Sequence, residues 1–90
     1  MNIIIKKFGG TSVSSLERIE RAISHIKKTK KLGYGIVVVV SAMGKETDRL
    51  LKLTSGLENY EKSDDLSTLL SSGEQISSSL FSIILNKNNI

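Results

Sequence analysis

Along the chain the spacing of apolar positions changes repeatedly, and each change marks an element. Residues 2–8 carry Ile3, Ile4 and Ile5, a β-branched run that predicts a strand, and Gly9-Gly10 stops it. After a turn, Ser14 or Ser15 offers an N-cap oxygen, with Glu17 and Glu20 near the positive helix end and Leu16, Ile19, Ile23 and Ile26 on one stripe. This predicts a helix stopped at Gly33. Gly35 to Ala42, GIVVVVSA, is a continuous apolar run bounded by glycine, as expected of a strand covered on both faces in a parallel sheet. Glu46 to Leu53 predicts a short helix through Leu50, Leu51 and Leu53, and the polar stretch SGLENYEKSDD after it carries no strand signal. From Asp64 or Asp65, residues Leu66, Leu69, Leu70, Ile76, Leu80, Ile83 and Ile84 keep helical spacing to about Asn86, with Gly73 in the middle.

Strand, helix, strand over the first 40 or so residues is a βαβ unit, expected to cross over to the right, so the fold class is α/β. Two strands do not make a stable parallel sheet alone, and GIVVVV calls for neighbours at its edges and helices on both faces. The closing NKNN falls where an alternating α/β chain would begin another strand. The 90 residues are therefore expected to be the front portion of a larger domain.

Composition narrows the function classes. With 39% hydrophobic residues and no long polar tract the chain is of globular type, and without cysteine neither disulfides nor a thiolate metal site can hold it together. The formal charge of +4 is uneven: residues 1–52 hold eleven Lys/Arg and four Asp/Glu, residues 53–90 two and five. The densest basic run, Lys27, Lys28, Lys30 and Lys31, falls where a helix ends and complements its dipole. It contains no aromatic residue, which argues against a nucleic-acid surface. No stretch approaches the roughly 20 apolar residues of a membrane span, and no signal core opens the chain, so a cytoplasmic location is expected.

Candidate chemistry lies in the loops after the two strands. In KKFGGTSV, adjacent glycines at the carboxyl end of a strand let backbone N–H groups approach an anion, and the helix that follows points its positive end at the same place. Lys7 would add a full charge where phosphoryl transfer needs it. The spacing is neither the dinucleotide-fold glycine pattern nor a P-loop, and a plain turn would use the same residues. SAMGKETD, residues 41–48, leaves the second strand at the same sheet edge, where Ser41 and Thr47 could hold a small anionic substrate or simply cap the next helix. Glu74, inside LLSSGEQISSSL, is either a candidate to turn inward and receive an ammonium group or an exposed helical glutamate, as the rarity of buried Glu favours. His25 lies about 180° around its helix from Leu16 and is expected to be solvated, without a role.

Three segments together resemble the aspartate kinase family: KFGGTSV at 7–13, VVVVSAMGKETDRLL at 37–51 and LLSSGEQISSSL at 69–80, in matching order and spacing. Kinases of glutamate, acetylglutamate and UMP share the fold but tend to have a shorter signature without the Phe and the Thr-Ser-Val tail. The resemblance implies the front portion of an αβα three-layer amino-acid kinase fold with a mainly parallel sheet, residues 1–90 being an incomplete kinase domain without regulatory ACT domains. It implies phosphorylation of the L-aspartate side-chain carboxylate by ATP, with Mg2+ carried by the ATP phosphates and no metal ligand among these residues. Lys7 would be catalytic, Lys7, Gly9, Gly10, Thr11 and Ser12 would meet the nucleotide phosphates, and Ser41, Thr47 and Glu74 would hold aspartate. Asp65 is followed by Ser67 where the family commonly has a second acidic residue, so no role is carried over to Ser67. The later glycine-rich segment with its catalytic aspartate lies outside these residues. The chain alone is therefore expected to be inactive, and the partners implied are aspartate, ATP and either a further copy or a complementary kinase chain. A truncated, non-catalytic association module and another amino-acid kinase are the alternatives.

Overall fold

Ile3–Phe8 (β1) and Gly35–Val40 (β2) pair in parallel, from Ile3 opposite Gly35 to Phe8 opposite Val40. They form a two-stranded sheet in the computed structural model, which describes residues 2–57 and 63–90. The helix between them, α1, spans Leu16–Lys31. Ser15 is its N-cap, accepting the Arg18 N–H at 3.2 Å, while the Ser14 hydroxyl donates to the Thr11 carbonyl at 2.8 Å and closes a 3-10 turn over Gly10–Val13. The C-terminal end is closed as the sequence predicts, with Lys28, Lys30 and Lys31 in the last turn and Gly33 at a φ of +94° that only glycine takes without strain.

Two further helices, α2 (Glu46–Leu53) and α3 (Asp64–Lys87), start and stop within a residue of the predicted positions. Ser63 caps α3 by accepting the Leu66 N–H at 3.0 Å. The middle of the polar stretch SGLENYEKSDD, residues 58–62, lies outside the described residues. No described helix is long and apolar enough to cross a membrane.

The core has one side only. Val13, Ile19, Ala22, Ile23, Ile26 and Phe81 are buried, and Phe8, Ile36, Val38 and Val40 press onto them from one face of the sheet. On the other face Ile3, Ile5, Val37 and Val39 remain 66, 70, 49 and 44% exposed. Within these residues β2 is covered on one face only, α1 and α3 both packing on the same side, as expected of the front portion of a larger domain. The radius of gyration, 15.6 Å, exceeds the roughly 12 Å of a compact domain of this length, as a single layer with a long helix should.

The face that α3 buries also differs from the apolar stripe. Its buried residues are Gly73, Ser77 and Phe81, spaced by four, while Ile76 and Ile83 are exposed. The reason is close approach: a Cβ on Gly73 would lie 3.2 Å from Leu50 Cδ1 and 3.3 Å from Ala42 Cβ, so the helix presents its smallest residue there.

Candidate functional site

The site is built where β1 and β2 end. Phe8, the last residue of β1, is fixed by stacking on Phe81, ring centroids 5.8 Å apart, and its carbonyl accepts the Ser41 N–H at 3.0 Å. The chain then turns at Gly9-Gly10 into the 3-10 turn. Gly10 lies against the second loop: its carbonyl accepts the Gly44 N–H at 2.9 Å, and a Cβ there would meet the carbonyl oxygens of Gly44 and Ala42 at 2.9 and 3.0 Å. Only glycine allows so near a backbone contact. Among the described residues the N–H groups of Gly9, Gly10 and Thr11 donate to no carbonyl or side chain.

Lys7 lies one residue before Phe8, opposite Val39 in the register, and on the open face of the sheet. It is exposed, as are Thr11 and Ser12. Ser41 follows β2 and is half-buried, and Thr47 is exposed in the first turn of α2. The three sequence motifs therefore meet through their backbones and small residues: Gly10 on Gly44, and Gly73 on Ala42 and the Glu46 side chain. No hydrogen bond or ion pair links Lys7, Thr47 and Glu74 to one another among the described residues.

Of the two readings of Glu74, the structure shows the exposed helical glutamate and not the inward-turned one. Gly73 takes the inward position, and the next helical residue is rotated away by about 100°. His25 is exposed, as read from the sequence.

Two features escape the sequence reading. Arg49 forks onto Glu46, with Nη2 to Oε1 at 2.6 Å and Nε to Oε2 at 3.0 Å, at the foot of the second loop. These hydrogen bonds, then the charge itself, hold the Glu46 carboxyl below its ordinary value. The second is Ser77, fully buried, whose hydroxyl donates to the Ser41 carbonyl at 2.6 Å. The spacing of Gly73, Ser77 and Phe81 by four was a signal for this seam, hidden because serine and glycine do not count as apolar.

Comparison with known proteins agrees with the three motifs. The amino acid kinase family matches residues 2–90. The chain is 44% identical over 87 residues to the aspartokinase of Geobacillus stearothermophilus, covering 97% of this chain and 21% of that protein. It is 41% identical over 90 residues to the aspartokinase of Pseudomonas aeruginosa, covering 100% of this chain and 22% of that one. Among solved structures, the aspartate kinase from Synechocystis superposes with a TM-score of 0.87 at 45% identity, over 94% of this chain and 14% of that chain. The chain thus spans about a fifth of the length of the curated relatives it matches.

Proposed function

We propose that this chain, which belongs to the amino acid kinase family, supplies the front part of an aspartate kinase, transferring the γ-phosphoryl group of ATP to the side-chain carboxylate of L-aspartate. The product would be 4-phospho-L-aspartate, the first step toward lysine, threonine and methionine, made in the cytoplasm. The observation that carries the reading is the backbone bond from Gly44 to Gly10, which brings the loops of the first two motifs to one end of the sheet.

In this reading the free N–H groups of Gly9 to Thr11 receive phosphate oxygens, with Lys7 beside them to balance charge that grows during transfer. Ser41 and Thr47 offer hydroxyls to a substrate carboxylate, and Glu74 offers a carboxylate to its ammonium group. Backbone donors and a lysine suit phosphate, not a bare cation, and among the described residues no group of three His, Asp or Glu gathers to hold a metal. Magnesium would therefore arrive on the nucleotide phosphates, neutralising part of their charge.

The chain alone is proposed to be inactive. Positioning and charge stabilisation both call on parts of the relatives beyond the matched fifth. The bare face of Ile3, Ile5, Val37 and Val39 suits coverage by that remaining part. Amide hydrogen exchange tests the reading: ATP, magnesium and L-aspartate together should slow exchange at Gly9 to Ser12. L-glutamate in place of L-aspartate should not reproduce any effect at residues 41–47. Exchange at Gly9 to Ser12 that ignores the ligands would overturn the nucleotide half-site.

A further inference from the structure

The Ser41 carbonyl is where the ladder between β1 and β2 stops, and a side chain from a third element takes it over. Alternate residues of the first strand carry the ladder: the Asn2 carbonyl accepts the Gly35 N–H at 2.9 Å and the Phe8 carbonyl accepts the Ser41 N–H at 3.0 Å. The next rung of a parallel pair would join the Gly10 N–H to the Ser41 carbonyl and the Met43 N–H to the Gly10 carbonyl. Neither bond forms. Gly44, one residue late, reaches the Gly10 carbonyl at 2.9 Å, and the Ser77 hydroxyl donates to the Ser41 carbonyl at 2.6 Å.

We propose that Ser77 is a positioning residue of the candidate site. Its hydroxyl holds the Ser41 carbonyl at the point where the ladder ends and where, among the described residues, the Gly10 N–H has no acceptor, and so fixes residues 41–44 against the Gly9-Gly10 turn. Ser77 is 0% exposed, so water does not compete for this bond. Its oxygen also lies 3.1 Å from the Glu74 carbonyl in its own helix, the ordinary resting place of a helical serine hydroxyl. One proton cannot serve both acceptors fully, and the shorter contact is the one that leaves the helix. A single hydroxyl thus ties the turn of α3 that carries Glu74 to the loop that carries Ser41, beside the packing of Gly73 on Ala42. This role rests on the aspartate kinase reading for its meaning, but its geometry stands apart from it.

The test is native-state hydrogen exchange on the 90-residue chain with Ser77→Ala and Ser77→Thr. Alanine removes the fully buried donor to the Ser41 carbonyl, so the Gly44 amide should exchange roughly 10- to 100-fold faster, beyond any change at the core amides of Ile23 and Ile26, which report global unfolding. Threonine keeps the hydroxyl and should restore Gly44 to within a few-fold of the unmodified chain. The proposal is overturned if Gly44 moves only in step with Ile23 and Ile26, or if threonine behaves as alanine does. The unmodified chain gives a check without substitution: under mild urea, Gly44 and the amides around Ser77 should open together, and independent opening also overturns it. Adding ATP and L-aspartate separates the two readings. A Ser77 effect on Gly44 in a chain blind to both ligands would retain the tie between α3 and the second loop and remove the nucleotide half-site.

Discussion

Gly10 and Gly44 meet through their backbones: the Gly44 N–H donates to the Gly10 carbonyl at 2.9 Å, and a Cβ on Gly10 would stand 2.9 Å from the Gly44 carbonyl oxygen. The obstructing atom is backbone, so it cannot rotate away as a side chain would. Gly10→Ala should therefore cost about 1–3 kcal/mol, in the range of overpacked sites. Gly9 has nothing within 4 Å of its Cβ position and an ordinary φ of −76°. Gly9→Ala should consequently change stability by no more than about 0.5 kcal/mol. Urea unfolding of the two variants side by side checks this, and equal effects would show that the contact at Gly10 is not what constrains the turn.

The stack of Phe8 on Phe81 ties the sheet to α3. Phe81 is buried in a core with one covered face, so neighbouring side chains have little material with which to refill a cavity. Phe81→Ala should cost about 3–5 kcal/mol, enough to unfold a chain of marginal stability. Phe81→Leu keeps most of the volume and should retain a cooperative transition at lower urea. Circular dichroism against urea distinguishes the two, and a mild effect of alanine would mean that α3 is not held through this ring.

Much of this fold is legible in the residues because local and tertiary signals coincide. Ser15, Glu17, the stripe through Ile19, Ile23 and Ile26, and Gly33 all describe one helix, and they are where the cap, core face and left-handed terminator fall. The turn at Gly9-Gly10 was legible for the same reason, since a glycine pair stops a strand whether or not the turn carries chemistry. The seam of α3 was not. Hydrophobic periodicity pointed to Ile76 and Ile83, whereas close approach to Ala42 and Leu50 selects Gly73 and Ser77, whose merit is small size and one hydrogen bond. Glu74 was open to two readings for the same reason: an apolar sequence neighbourhood does not fix which way a helical side chain turns, and the structure shows it exposed. The open sheet face was hidden because coverage of GIVVVV depends on what packs there, not on the strand itself.

The Glu46 and Arg49 pair gives the chain a pH dependence of known sign. Arg49 hydrogen bonds, followed by its charge, lower the Glu46 carboxyl from its ordinary 4.5. A depressed folded value means stability that is present above 4.5 and lost as pH falls through the lower, folded value. Both groups reach solvent, so the contribution should be small and should shrink as salt rises toward about 1 M. The measurement is the difference in urea midpoint between the unmodified chain and Glu46→Gln, followed from pH 7 to pH 3. The difference should be present at neutral pH and close as the pH falls below 4.5. A gap that instead widens in acid would contradict the pairing.

Lys7 separates stability from function most cleanly. It is exposed on the open sheet face and has no carboxylate within ion-pair distance among the described residues, so its removal should alter stability by less than about 0.5 kcal/mol. Its proposed work is on charge that develops during phosphoryl transfer, so Lys7→Ala should lower turnover far more than it raises KM for aspartate. Loss of one such charge is expected to cost roughly 10²–10³-fold in kcat. The assay uses this segment joined to the remaining part of the Geobacillus stearothermophilus aspartokinase, to which it is 44% identical over the matched region. Lys7→Arg keeps the charge but not the compact ammonium, and should recover only part of the loss. Unchanged turnover in the alanine variant, with the joined protein active, would remove Lys7 from the chemistry and leave the glycine turn as the whole of the phosphate site.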